Sequence, residues 1–414
     1  MPSIRATVAN SPYLLLYSAA DPTELVEAAR ADADAMRAGG DPAAAGSRRP
    51  GRRRLAVAAS DRDGLVEGLS FFADGLASTR WVTGYADGVA DRVAWCFGGH
   101  GSQWPGMGRA LAAWSPVAAE VLTELDGLLP GGVLHPLREG LWPDIPASTQ
   151  PLIFAIQVAL ARWLWAEGLR PAVVIGHSLG EVAAAHIAGA LSLREAALVV
   201  RTRSRLLDAA GPGGVMATVG LDSGEVAARC ARVVGGTVVV AAHSAPRETV
   251  VTGDERATNS LIADLEREGV RCRTIRINAA SHSPRVDPVL PELRAELADL
   301  APAPTHTPWL STVDPLGSPR ADADYWARNL RQPVLFTEAV SSAACEGIRA
   351  YLEIGPHPVL VKPIRDTLHA DGVQAPLLAG TGHRGTPEPV ALSRALGALY
   401  CRGADTAPSE RGSE

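Results

Sequence analysis

Five consecutive residues, Gly176-His177-Ser178-Leu179-Gly180, fit the pattern G-x-S-x-G. The short apolar run that ends at Gly176 reads as a buried strand, and the stretch after Gly180 reads as a helix. A serine on such a strand-to-helix turn presents its hydroxyl beside the free amides and the positive dipole end of the helix. That is the setting of a nucleophile attacking an acyl carbonyl. The flanking glycines suit a turn where side chains would meet neighbouring backbone. A glycine turn that merely packs a helix on a sheet carries the same letters, so the motif alone leaves both readings open.

A nucleophilic serine needs a base, and histidine is the usual one. Among ten histidines, His282 in "AASHSP" lies where the chain rejoins its main body after a segment of different pattern. A histidine flanked by serines and proline is otherwise an ordinary surface-loop residue. Five scattered cysteines without a CxxC pair give neither a disulfide framework nor a zinc site, and no metal is expected. A reducing, cytoplasmic location is the simple expectation.

The elements that must position these residues follow from the rest of the chain. With 414 residues, 47% hydrophobic and 20% charged, it can build a large core in two or three domains. A net charge of −6 argues against a protein built mainly to hold nucleic acid. The start of the chain has no basic-then-apolar signal pattern, and no run approaches the roughly eighteen apolar residues of a membrane span. No membrane partner is expected.

"YLLLYSA" reads as a strand, followed by a helix over Asp21–Arg37 with Asp21 as cap and Pro22 in its first turn. A Gly-, Pro- and Arg-rich loop containing Arg48, Arg49, Arg52, Arg53 and Arg54 leads to "LAVAAS" and a helix over Asp61–Ala77. These arginines read as a solvated loop. The main body starts near Arg92, where "VAWCF" runs into the Gly-rich loop Gly98–Gly108. Strands alternating with helices predict a parallel α/β sheet. Between Gly214 and Asn278 the order becomes β-α-β-β-α-β, a ferredoxin-like subdomain inserted into the larger one. "ADTAPSERGSE" reads as a frayed tail.

Taken together, the motifs identify the chain as similar to the acyltransferase domains of modular polyketide synthases and, more distantly, to malonyl-CoA:ACP transacylases. "GHSLGE", "GGHGSQWPGMG", "AASHSP", "YWARNLRQPVLF" (Tyr325–Phe336) and "YLEIGPHPVL" (Tyr351–Leu360) match five family blocks in order, over about Val93–Leu378. The resemblance implies an α/β fold with a large α/β-hydrolase-like subdomain over 93–213 and 279–378. The ferredoxin-like subdomain covers 214–278, a small α/β linker domain of ketosynthase-to-acyltransferase type covers 1–92, and 379–414 is a C-terminal segment and tail. It implies an acyl-CoA:acyl carrier protein acyltransferase, working with a carrier protein within a larger synthase.

Residue by residue, the resemblance makes Ser178 the nucleophile and His282 the base. Asn329 orients the histidine, through a backbone carbonyl in place of a carboxylate. The amides of Leu179 and His100 form the oxyanion hole, and Arg203 in "RTRSR" binds the carboxylate of a malonyl-type group. A guanidinium suits that task because it grips a carboxylate with two parallel hydrogen bonds. Coenzyme A thioester is substrate and phosphopantetheine the acceptor arm, and no bound cofactor is implied.

Several positions depart from the family pattern. His100 replaces glutamine, and His243 stands where asparagine is usual, near the expected cleft and counted with the selectivity pocket. The selectivity motif is Ala279-Ala280-Ser281-His282, with neither the tyrosine of methylmalonyl enzymes nor the phenylalanine of malonyl enzymes. The lost volume suggests room for an α-substituent, whereas "STQP" with Gln150, and Leu179 after the serine, lean towards plain malonyl. A hydrolase that clears stalled carrier proteins would share serine, histidine and fold, but gains nothing from Arg203. An ordinary esterase would carry an aspartate where the insert lies.

Overall fold

The computed structural model describes residues 13–46, 49–141, 145–211, 214–275 and 281–404. Three sheets organise them. The first is antiparallel: β1 (Tyr13–Ala19), β2 (Arg53–Ala59) and β3 (Trp81–Tyr85), paired in sequence order. Helices Pro22–Arg37 and Arg62–Ala73 connect these strands, their first turns capped by the carboxylates of Asp21 and Asp61.

The central sheet is parallel and ordered β10-β5-β4-β12-β13. Its strands are β4 (Val93–Phe97), β5 (Val173–Gly176), β10 (Trp309–Leu310), β12 (Ala350–Ile354) and β13 (Leu377–Gly380). Strands β4, β5 and β12 are buried at every position, which explains their continuous apolar runs. Helix Pro146–Ala166 is buried at every position from Thr149 to Ala161 and packs against helices Pro116–Leu128 and Leu193–Ala209.

The third sheet contains β6 (Gly214–Val219), β7 (Val238–Ala245), β8 (Glu248–Asp254) and β9 (Cys272–Ile275), antiparallel in the order β7-β8-β6-β9. Helices Ser223–Cys230 and Glu255–Arg267 share a core with this sheet, giving the ferredoxin-like arrangement. Its β7 edge is not free. Strand β11 (Val334–Leu335) pairs with β7 in parallel, matching Val334 to Ala242 and Leu335 to His243. Residues 279–378, expected to belong wholly to the large subdomain, thus donate one strand to the small one. Two short backbone segments can pair without any apolar period to announce them.

The C-terminal segment is also more than an appendage. Helix Glu388–Cys401 packs on β2 and β3, so chain from 379–404 completes the N-terminal unit. A Cβ on Gly84 would meet the carbonyl of Cys401 at 2.5 Å. Arg54, expected in a solvated loop, donates to the carbonyls of Tyr400 and Ala404 and stacks 4.4 Å over the Tyr400 ring. The tail from 405 onward lies outside the described residues, as does Arg48.

Candidate active site

Strands β4 and β5 lie side by side, and the loops after their carboxyl ends meet. This is the end of a parallel sheet where ligands bind. The turn after β5 is tight. A Cβ on Gly176 would lie 2.3 Å from the Cα of Glu181, and one on Gly180 would lie 1.9 Å from the carbonyl oxygen of Phe97. Only glycine fits at either position. Between them Ser178 adopts φ of 54°. Among the described residues three non-glycines have positive φ: Ser178, His282 (61°) and Ala375. Such conformations cost about 1–3 kcal/mol and persist where the surroundings enforce them. That two of the three face each other marks a built site.

Ser178 and His282, 104 positions apart in the chain, meet at 2.7 Å between Oγ and Nε2. The His282 amide donates to the Leu330 carbonyl at 2.8 Å, which holds the backbone in place. Its Nδ1 lies 2.8 Å from the carbonyl oxygen of Gln332. A carbonyl only accepts, so Nδ1 carries the proton and Nε2 presents its lone pair to the serine hydroxyl. Burial, reinforced by the positive charge of Arg203, pushes the His282 imidazole down to about 3. It is therefore neutral at physiological pH, as a proton acceptor must be.

The group that orients His282 is thus the Gln332 carbonyl, and the sequence assignment of this task to Asn329 is corrected. Asn329 does a different one. Its Nδ2 donates to the Ser178 carbonyl at 3.2 Å, and its Oδ1 accepts from Arg203 Nε at 3.3 Å. A backbone acceptor can come from any residue type, so nothing in the sequence marks Gln332.

Arg203, on helix Leu193–Ala209, is 1% exposed. Its Nη2 donates to Ser178 Oγ at 3.0 Å and its Nη1 to Gln150 Oε1 at 2.7 Å. Among the described residues its three hydrogen-bond partners, Asn329, Gln150 and Ser178, are neutral. Burial lowers it to about 10, so the guanidinium remains charged. A buried cation without a counter-charge is costly, and an incoming carboxylate relieves that cost. Among the described residues three of its five N–H groups are engaged, leaving two for such a ligand.

The Gly-rich loop closes the other side. A Cβ on Gly99 would lie 2.8 Å from the His177 carbonyl oxygen and 3.6 Å from Ser178 Cβ. The Gly98 carbonyl accepts from Gln157 Nε2 at 2.6 Å. His100 follows on this loop and is half-buried. Leu179 is buried and directly precedes helix Gly180–Ala188. Ser281 is buried beside His282, whereas Ala279 and Ala280 lie outside the described residues. His243 Nδ1 pairs with Glu338 at 2.6 Å, beside the β7–β11 pairing.

Sequence reasoning missed two side chains here, half-buried His177 and buried Glu181. His177 packs edge-on against Phe336, and burial lowers it to about 4. Glu181 accepts from Trp309 Nε1 (2.7 Å), Tyr325 Oη (3.0 Å), and the Thr312 amide and hydroxyl (2.5 and 2.6 Å). Burial still raises its carboxyl to about 7. Glu181 ties the serine turn to helix Ala323–Arg331, which carries Asn329. The final glutamate of "GHSLGE" was the available signal.

Comparison with known proteins agrees with this architecture. The family model described as "Acyl transferase domain" matches residues 94–406. The 5-methyl-1-naphthoate synthase of Streptomyces sahachiroi is 39% identical over 364 residues, 85% of this chain, and the chain spans 20% of that protein's length. The crystal structure of the acyltransferase domain from module 8 of the salinomycin polyketide synthase superposes with a TM-score of 0.87 and 34% identity, covering 95% of this chain and 96% of that one. The acyl transferase domain of SpnD in complex with 2-(pent-4-yn-1-yl)malonyl gives a TM-score of 0.78 and 30% identity over 95% and 96% of the two chains. Among the described residues no helix is long and apolar enough to cross a membrane. The chain belongs to the acyl transferase domain family, and within it stands with the acyltransferase domains of polyketide synthases.

Proposed function

We propose that this acyltransferase moves a malonyl-type group from coenzyme A to the phosphopantetheine thiol of an acyl carrier protein, through an ester on Ser178. The observation that carries the reading is the fully buried Arg203, charged, with only neutral partners among the described residues and one N–H on Ser178 Oγ. A malonyl-type donor has a carboxylate to satisfy that cation and a thioester carbonyl a few bonds away to meet the serine. A hydrolase of uncharged acyl chains has no use for it.

In the first half-reaction Ser178 Oγ attacks the thioester carbonyl carbon while its proton passes to His282 Nε2. The developing oxyanion lies against the amides of Leu179 and His100. The C–S bond then breaks, and the departing CoA sulfur takes the proton from His282. In the second half the carrier-protein thiol gives His282 its proton and attacks the Ser178 ester. Collapse returns the proton to Ser178 Oγ. The imidazolium formed in each half is stabilised through Nδ1 by the Gln332 carbonyl. Arg203 and Gln150 position the donor, and no step draws on a metal or redox cofactor.

For the acyl group, small residues at 279–281 favour an α-substituted malonyl donor. The relative SpnD was crystallised with a substituted malonyl group on the same fold. One methyl changes discrimination by about 1–3 kcal/mol, so the preference is graded. His243, held by Glu338, is left out of the selectivity set proposed here, which comprises Ala279, Ala280, Ser281 and Gln150.

The test is mass spectrometry of the protein after incubation with malonyl-, methylmalonyl- and ethylmalonyl-CoA together. A single acyl adduct that disappears in Ser178→Ala is the expected result, with the substituted adducts exceeding malonyl. An adduct that survives the substitution refutes the nucleophile. A strong excess of malonyl refutes the enlarged pocket.

A further inference from the structure

The Gly-rich loop that carries His100 is held from outside as well as from the Ser178 side. Arg384, in the loop between β13 and helix Glu388–Cys401, donates through Nη2 to the carbonyls of Gly101 at 3.2 Å and Gln103 at 3.1 Å. These two acceptors lie just after His100 in the chain. Gly101 has φ of 111°, a conformation open to glycine, and its amide donates to Gln103 Oε1 at 2.5 Å. The loop therefore reverses direction there, with its carbonyls turned outward onto one guanidinium.

Arg384 is itself anchored. Its amide donates to His357 Nδ1 at 3.3 Å, and its carbonyl lies 2.9 Å from His383 Nδ1. The His357 and His383 rings meet edge to face at 5.2 Å. Below them a Cβ on Gly382 would lie 2.4 Å from the Gly355 carbonyl oxygen, so the loops around 355–358 and 382–384 are in backbone contact. Trp104, farther along the Gly-rich loop, donates to the Pro356 carbonyl at 3.0 Å. One continuous brace thus runs from the segment after β13 to the loop beside Ser178.

We propose that Arg384 is a positioning residue for acyl transfer, clamping the loop whose His100 amide receives the oxyanion. The inference rests on the oxyanion role given to that amide above. An oxyanion donor acts only if its direction is set before the charge forms, and a flexible loop with many glycines does not set it alone. Arg384 touches neither the acyl group nor Ser178, so its effect falls on the rate of the chemical step. Oxyanion formation is common to every thioester, whereas carboxylate recognition by Arg203 is not. Loss of the brace therefore slows malonyl and acetyl donors by the same factor.

The experiment is single-turnover acylation of the full chain with malonyl-CoA and with acetyl-CoA, for the wild type, Arg384→Ala and Arg384→Lys. For Arg384→Ala the maximal rate with both donors falls by ~10-fold, a fraction of the loss from deleting an oxyanion donor outright. The half-saturation concentration and the malonyl-to-acetyl ratio stay at their wild-type values, and Arg384→Lys recovers part of the rate. An unchanged rate overturns the proposal. So does an altered donor ratio, or a change confined to half-saturation, because either places Arg384 in substrate binding. If Arg384→Ala does not fold, Arg384→Gln takes its place, and a loss no greater than that of Arg384→Lys overturns the clamp. A wild type that forms no Ser178 adduct would instead refute the underlying function. The brace alone fails when the wild type acylates and the variants keep pace with it.

Discussion

Replacing Arg203 by glutamine removes a buried cation that contacts Ser178. Among the described residues the guanidinium has two N–H groups left after Gln150, Asn329 and Ser178 have taken theirs. Hydrogen bonds to charged groups contribute about 1.5–3 kcal/mol each, so two to a malonyl carboxylate amount to about 3–6 kcal/mol. At about 1.4 kcal/mol per factor of ten, kcat/KM for malonyl-CoA should fall by roughly 10² to 10⁴. Acetyl-CoA has no carboxylate and makes neither bond, so its kcat/KM should change by less than about tenfold. The assay is acylation kinetics with both donors on protein whose thermal midpoint shows it to be folded. Removing the positive charge also lifts part of the force that depresses His282, so the acid limb of the pH profile should move upward. Equal losses for the two donors would refute carboxylate recognition by Arg203. An intact malonyl rate would show that the cation serves only to pack helix Leu193–Ala209.

Further expectations concern the protonation of His282 and the packing around two glycines. His282 works as the neutral imidazole and is held at about 3, so acylation should stay on its plateau as pH falls from 8 to about 5, where a free imidazole would already be protonated. The depressed value also stabilises the fold only above the ordinary imidazole range. As pH drops from about 6.5 towards 3 the unfolded chain takes up a proton the folded one refuses, a loss of up to about 5 kcal/mol readable in denaturant midpoints. Gly180→Ala sets a methyl 1.9 Å from the Phe97 carbonyl oxygen and should destabilise the protein by more than about 3 kcal/mol. Gly127→Ala, in helix Pro116–Leu128 with open space around it, should instead stabilise it by up to about 1 kcal/mol. Urea titration of both variants checks the contrast, and similar midpoints would contradict the packing argument.

Much of this protein was legible in local pattern. Asp21 and Asp61 announce helix starts because a carboxylate before a helix satisfies free amides within a few residues. The glycines at 176 and 180 announce the serine turn because their backbone spacing admits no side chain. The alternation of strand and helix over 214–275 specifies the ferredoxin-like order because each element is set by its own apolar period. What folding alone decided are meetings between distant segments. Gln332 orients His282 through a carbonyl that every residue possesses. Strand β11 joins the small sheet through two residues. Helix Glu388–Cys401 closes the N-terminal unit across more than three hundred positions. Arg203, one of three arginines at alternating positions, is the buried one because helix Leu193–Ala209 turns that side towards Gln150 and Asn329. Backbone acceptors and packing faces leave no residue-type signature, so only the assembled chain decides them.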